Sequence, residues 1–242
     1  MIKKGFTLAE LLVAMAIVGV VASLTTPWLM TKNKNAANAS KLSTIVSDLE
    51  NNFSSMVVNE QVDSLIDTTW YKAEDSKKGG ELAKSIAIIN PQAKESASYS
   101  FKTLGEGYKK SNNEFSIETQ HVYTLKNGAI IYFTNLSDDS NSPDAKLASG
   151  GNLGSKVGEI YIDVNGNDTP NIIGRDIFNF ALGADGSLFP VGGKDFSIYT
   201  YNDTTSGSWD NNNNFACNDT TISDNGRGCT GRVVAEGYKI TY

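Results

Sequence analysis

Few residues in this chain are placed to do chemistry, and the usual catalysts are missing. His121 is the single histidine, and no serine or cysteine nucleophile motif accompanies it. There is no phosphate-cradling glycine loop, no His-Glu-x-x-His and no Cys-x-x-Cys. Cys217 and Cys229 are the only cysteines and lack the second His or Cys pair that zinc requires. No enzyme is expected. Two features remain. One is a lone carboxylate, Glu10, at the head of an uncharged apolar run covering residues 11–24. The other is a series of hard oxygen ligands, Asp163, Asn165, Asn167 and Asp168, which could bind calcium. This second stretch departs from an EF-hand, because its glycine comes fourth and no glutamate stands at the twelfth position. The competing and favoured reading is that the Asx side chains cap turns while Gly166 and Pro170 shape the backbone.

The element that must position Glu10 is a membrane-crossing helix. Residues 6–30 would extend about 37 Å as a helix, against a bilayer core of about 30 Å. The apolar side chains between Phe6 and Leu24 outweigh Glu10, which lies near one end. Three readings compete. A secretory signal peptide would be cut near Ala22-Ser23. A plain anchor leaves Glu10 unexplained, since an ionisable group in an apolar segment is costly and has an assigned partner. A cut after Gly5 would instead put a new amino terminus, Phe6, about one helical turn from Glu10, where side groups meet.

The run Gly5-Phe6-Thr7-Leu8-Ala9-Glu10, behind Lys3-Lys4 and ahead of an unbroken apolar helix, resembles the type IV prepilin leader and N-terminal methylation segment. Pilins of type IV pili and pseudopilins of type II secretion share it. The resemblance covers roughly the first thirty residues and implies cleavage after Gly5 and N-methylation of Phe6 by a prepilin peptidase and methylase. It also implies that Glu10 neutralises the terminal amine of a neighbouring subunit during assembly, and that other pilin subunits are partners. Location follows from the same resemblance: an inner-membrane precursor with its head outside the cytoplasm, then a periplasmic or extracellular filament. Charge does not decide orientation, because Lys3 and Lys4 on one side balance Lys32 and Lys34 on the other.

This frame divides the chain into a leader (1–5), a transmembrane methylation helix (6–30), an amphipathic continuation (31–58) and a head (59–242). The head is long enough for one sizeable core. The formal charge of −6, lowered further when the leader lysines leave, is a poor match for a nucleic-acid backbone, so no nucleic acid is expected. In an exported domain Cys217 and Cys229 should pair, closing a loop worth about 3 kcal/mol. The paired segment would resemble the disulfide-bounded C-terminal loop (217–229) of type IV pilins. Trp209, in the polar stretch before it, reads as packing in preference to adhesion.

Periodicity supplies the rest. Leu42, Ile45, Val46, Leu49, Phe53, Met56 and Val57 fall on one helical stripe. Pro27 should kink the helix or begin a new turn. Residues 59–114 are weakly patterned. Glu81 to Ile89 reads as a short helix stopped by Asn90-Pro91, with Tyr99, Phe101 and Tyr108 against it, while Trp70 and Tyr71 read as core. Asn127-Gly128 and Asp185-Gly186 mark two hairpins, a strand covers 158–163, and 195–201 adds an edge strand. A polar, exposed loop is expected over 136–154. Residues 232–242 read as strand, turn and strand. The expected fold is α+β and pilin-like, a long N-terminal helix laid on an antiparallel sheet. Residues 163–178 also resemble the Asp-x-Asn-Gly…Pro-Asn…Gly-x-Asp-x-Phe segment of some pilin-like heads, carried here by Asp163, Asn165, Gly166, Pro170, Asn171, Gly174, Asp176 and Phe178. The functions implied are a pilin or minor pilin, a pseudopilin of a secretion or competence machine, or, from another class, a membrane-tethered adhesin-like module that does not polymerise.

Overall fold

The computed structural model describes residues 7–90, 97–105, 108–134, 136, 156–193, 197–200, 203–206, 209, 215–218, 221–222 and 224–242. Its longest element is α1 (Leu8–Glu60). The start of α1 is fixed by Thr7 and Glu10. The threonine hydroxyl accepts from the Glu10 amide, and the Glu10 carboxylate accepts from the Thr7 amide, so two otherwise orphaned donors are satisfied. The helix stops at Gln61, which turns left-handed (φ 54°, ψ 41°) and donates its N–H to the carbonyls of Val57 and Val58. Of the two outcomes expected at Pro27, a kink or a new turn, the second does not occur: α1 runs on through it. Just before it two hydroxyls fold back on the helix, Thr25 donating to the Val21 carbonyl (3.0 Å) and Thr26 to that of Ala22 (2.7 Å).

Burial switches midway along α1. From Leu8 to Met30 every large apolar side chain is exposed. Beyond Asn35 the residues Ala39, Leu42, Ile45, Val46, Leu49, Phe53 and Met56 are buried, at the threes and fours that put one face of a helix against a core. Two short helices, α2 (Thr69–Lys72) and α3 (Asp75–Leu82), follow and bury Trp70, Tyr71 and Leu82 beside that face.

The face rests on a five-stranded antiparallel meander of β3 (His121–Thr124), β4 (Ile130–Thr134), β5 (Lys156–Asp163), β6 (Ile177–Gly183) and β7 (Leu188–Pro190), in that spatial order. Alternation sorts its side chains. Ile131, Phe133, Ile160, Ile162, Phe178 and Phe180 join the α1 core. Tyr132, Tyr161 and Ile177 point the other way and are covered by a ribbon of β1 (Ala97–Gly105) and β2 (Lys109–Thr119), where Phe101 meets Tyr132 at 5.4 Å. With both faces of the sheet covered, β5 is buried at every position after Lys156, Glu159 and Asp163 included. The expected α+β layout of a long N-terminal helix on antiparallel sheet is present, and both glycine-marked hairpins form.

Several local expectations are corrected. Only Glu81 and Leu82 of the expected 81–89 helix are helical. Ile88 instead bridges to Leu125, and the Ile89 amide donates to Thr124, because the edge of β3 recruits this segment. Tyr99 and Phe101 belong to the ribbon and pack on Tyr132, while Tyr108 stacks on Tyr242 at 4.6 Å. The strand expected at 195–201 appears as β8 (Ser197–Thr200), paired with β9 (Asp203–Ser206) in a sheet of its own. The chain closes on a helix, α4 (Cys229–Ala235), and a tail, not on two strands. Its determinants lie far away in sequence: Arg232 donates to the Cys217 carbonyl (3.1 Å) and stands over the rings of Tyr108, Trp209 and Tyr242. Most of the 136–154 loop, and Pro91, lie outside the described residues.

Candidate functional site

The N-terminal candidate is a bare apolar rod carrying one acid near its tip. Gly5 and Phe6, where cleavage and methylation are expected, lie outside the described residues, as does the rest of the leader. Glu10 is described and exposed. Its Oε2 accepts from both the amide and the hydroxyl of Thr7, each at 2.8 Å, so the local cap occupies one carboxylate oxygen. Ala9, Val13, Ala14 and Ile17 form a shallow apolar hollow beside it. The rod is the one described helix long and apolar enough to cross a membrane, and none of that apolar window is buried by the head. Near its end Lys32 lies over the Trp28 ring at 5.1 Å, an aromatic–cation pair of the type found at membrane–water boundaries. Pro27 lies within this span.

At the far end of the chain Cys217 and Cys229 are bonded and fully buried, with Cα atoms 5.0 Å apart. Trp209 is half-buried under Arg232, a packing role. His121 is buried, with Nε2 3.4 Å from the Asp75 carboxylate. Burial holds its imidazole below the ordinary value of 6.5; the Asp75 charge opposes that shift and the Lys78 charge adds to it.

The Asp163–Asp176 loop is more ordered than its polar composition suggests. Asp163 Oδ1 accepts from the amides of Asn165 (3.1 Å) and Gly166 (2.8 Å), and Asn165 Nδ2 donates to the Asp168 carbonyl at 2.7 Å. Gly166 is required: it has φ +66°, and a Cβ there would stand 2.1 Å from the Gly128 carbonyl oxygen. Asp176 ties the loop at both ends. Its carboxylate accepts from the Ile172 amide, and its carbonyl accepts from the Val164 amide at 2.9 Å. Both aspartates are buried, and burial raises each to about 7; the backbone donors at Gly166 and Asn165 pull Asp163 the other way.

Of the four calcium candidates, Asp163 is fully buried and Asn165 partly so, whereas Asn167 and Asp168 are exposed. Among the described residues no three Asp, Glu, His or Cys side chains group as metal ligands, so any cation here would need amide oxygens as well. Asp176 and Asn171 lie in the motif as read from sequence, but their part in closing the loop was not visible there. Asp176 acts from beyond a turn, and spacing alone carries no signal of that.

A helix this long and bare at one end, seated on an antiparallel sheet at the other, gives the chain a pilin-like layout, with an apolar segment that fits a membrane-anchored precursor. Residues 1–26 match the family described as the prokaryotic N-terminal methylation motif, and the chain therefore carries a type IV prepilin-like signal. Neither a curated protein nor a solved structure matches the chain.

Proposed function

We propose that this chain is a structural subunit, pilin or minor pilin, of a type IV pilus-like filament. The observation that carries the reading is the two-part burial of α1, whose outer half is core to the head while its inner half presents apolar residues on all sides. In the membrane lipid covers that half. In a filament the same half exchanges lipid for the corresponding helices of other subunits. Glu10 sets the axial register by pairing with the methylated Phe6 amine of a neighbour, and the Thr7 cap, which uses Oε2 alone, leaves Oε1 for that partner. The head faces away from the cytoplasm, since leader removal is a cytoplasmic step in the class.

The test is the intact mass of the mature chain, followed by mechanical shearing of cells. The expected mass lacks residues 1–5, carries one added methyl group and lacks two hydrogens for the disulfide; shearing then releases the subunit. A chain that keeps Met1, or that begins beyond Ala22, defeats the reading. A correctly processed chain held in the membrane after shearing points to a pseudopilin of a secretion or competence machine, or to a tether that does not polymerise.

A further inference from the structure

We propose that the loop between Asp163 and Asp176 holds one hard divalent cation of the calcium type, with Asp163 Oδ2, Asn165 Oδ1 and Asn171 Oδ1 as its side-chain ligands. These three oxygens are shut off from solvent and accept no hydrogen bond. With Asp163 ionised all three are acceptors only, and all lie on one nine-residue stretch (163–171) that Asp176 ties near both ends through the Val164 and Ile172 amides. A buried acceptor without a donor is costly, and natural folds rarely leave several in one loop. Each of the three has a reason to be turned inward. Asp163 spends Oδ1 on two backbone amides, which directs Oδ2 elsewhere. Asn165 spends Nδ2 on the Asp168 carbonyl, which fixes its oxygen on the opposite side of the amide. Asn171 sits in backbone pairing with β1, its carbonyl accepting from the Lys102 amide at 2.9 Å.

The donor set selects the ion. Carboxylate and amide oxygens without His or Cys suit calcium, which takes six to eight oxygens in flexible geometry; zinc and copper prefer nitrogen or sulfur. Local charge agrees. Asp163 feels the negative charge of Asp168 and Asp176 that of Asp163, with Lys41 opposing at the first and Arg175 at the second. A bound divalent ion would relieve that repulsion and fill the three acceptors together. The ligand set differs from the one alternation along the sequence suggests, because Asn167 and Asp168 turn their side chains to solvent.

The experiment uses the full chain in detergent, stripped with a calcium chelator, and titrates it calorimetrically with calcium chloride while its melting temperature is followed. Expected are one site per chain and a melting temperature that rises with calcium. Asp163→Asn should weaken binding by tenfold or more, Asn171→Ala should weaken it measurably, and Asn167→Ala should leave it unchanged. Circular dichroism checks the fold of each variant, and should Asp163→Asn fail to fold, Asn171→Ala decides. The proposal is overturned by absence of calcium binding to the wild-type chain, by unchanged affinity in the folded ligand variants, or by magnesium binding as tightly as calcium.

Discussion

Gly186 packs directly against the helix, and replacing it tests the docking of the head on α1. The residue has φ +88°, and a Cβ built on it would lie 2.8 Å from both Phe53 Cβ and the Ser54 nitrogen. Those are atoms of the helix at a fully buried point, since Phe53 has no exposure and packs on Trp70 at 5.3 Å. Gly128, in the other hairpin, has φ +82° but open space around the same position. The pair separates two costs. Gly128→Ala pays backbone strain alone, about 1 kcal/mol. Gly186→Ala pays the same strain and in addition forces helix and turn apart, about 1–3 kcal/mol more for overpacking. At about 2–4 °C per kcal/mol for a head of this size, the melting temperature should fall by about 2–4 °C for Gly128→Ala and by about 4–16 °C for Gly186→Ala. Thermal unfolding of the full chain in detergent, followed by circular dichroism, measures both. Equal losses in the two variants would show that the head does not press on α1 at this turn.

Two further predictions concern the rod and the head's buried histidine. Glu10→Val should still insert in the membrane but yield little sheared filament, whereas Thr7→Ala, which removes the same local cap and keeps the acid, should assemble; quantifying subunit in sheared and membrane fractions checks both, and normal assembly of Glu10→Val would refute the pairing. His121 stays neutral in the fold below the ordinary imidazole value of 6.5, so on acidification the unfolded chain takes up a proton before the folded one does. Its contribution to stability is therefore full above that value and is lost as pH falls through the lowered folded value. Urea midpoints on either side of 6.5 should show a steeper acid loss in wild type than in His121→Gln.

Legibility from sequence followed the range of the interactions involved. The buried half of α1 could be read because Leu42, Ile45, Leu49 and Phe53 repeat at helical spacing within one element. The hairpins could be read because Asn127-Gly128 and Asp185-Gly186 specify their turns locally. The β1–β2 ribbon was hidden because Tyr99, Phe101, Phe115 and Ile117 alternate with Ser, Lys and Glu on a solvent-facing side, and no short turn signal joins the strands. The closing helix is not legible because its hold comes from Cys217, Tyr108 and Trp209, all distant in the chain. In the loop, the turn-capping role of Asp163 was visible in the spacing to Gly166, but the tie made by Asp176 and the inward aim of Asn171 depend on the fold being complete.

The tail of α4 returns to the helix, where Asn35 Nδ2 donates to the Tyr242 oxygen at 3.3 Å, close to the point where α1 leaves the head. A fusion tag placed after Tyr242 would thus emerge at the foot of the molecule, crowding the bilayer surface or the next subunit. Display of an epitope is better attempted around Gln61–Asp63, at the opposite end of the helix and about 39 Å further along its axis.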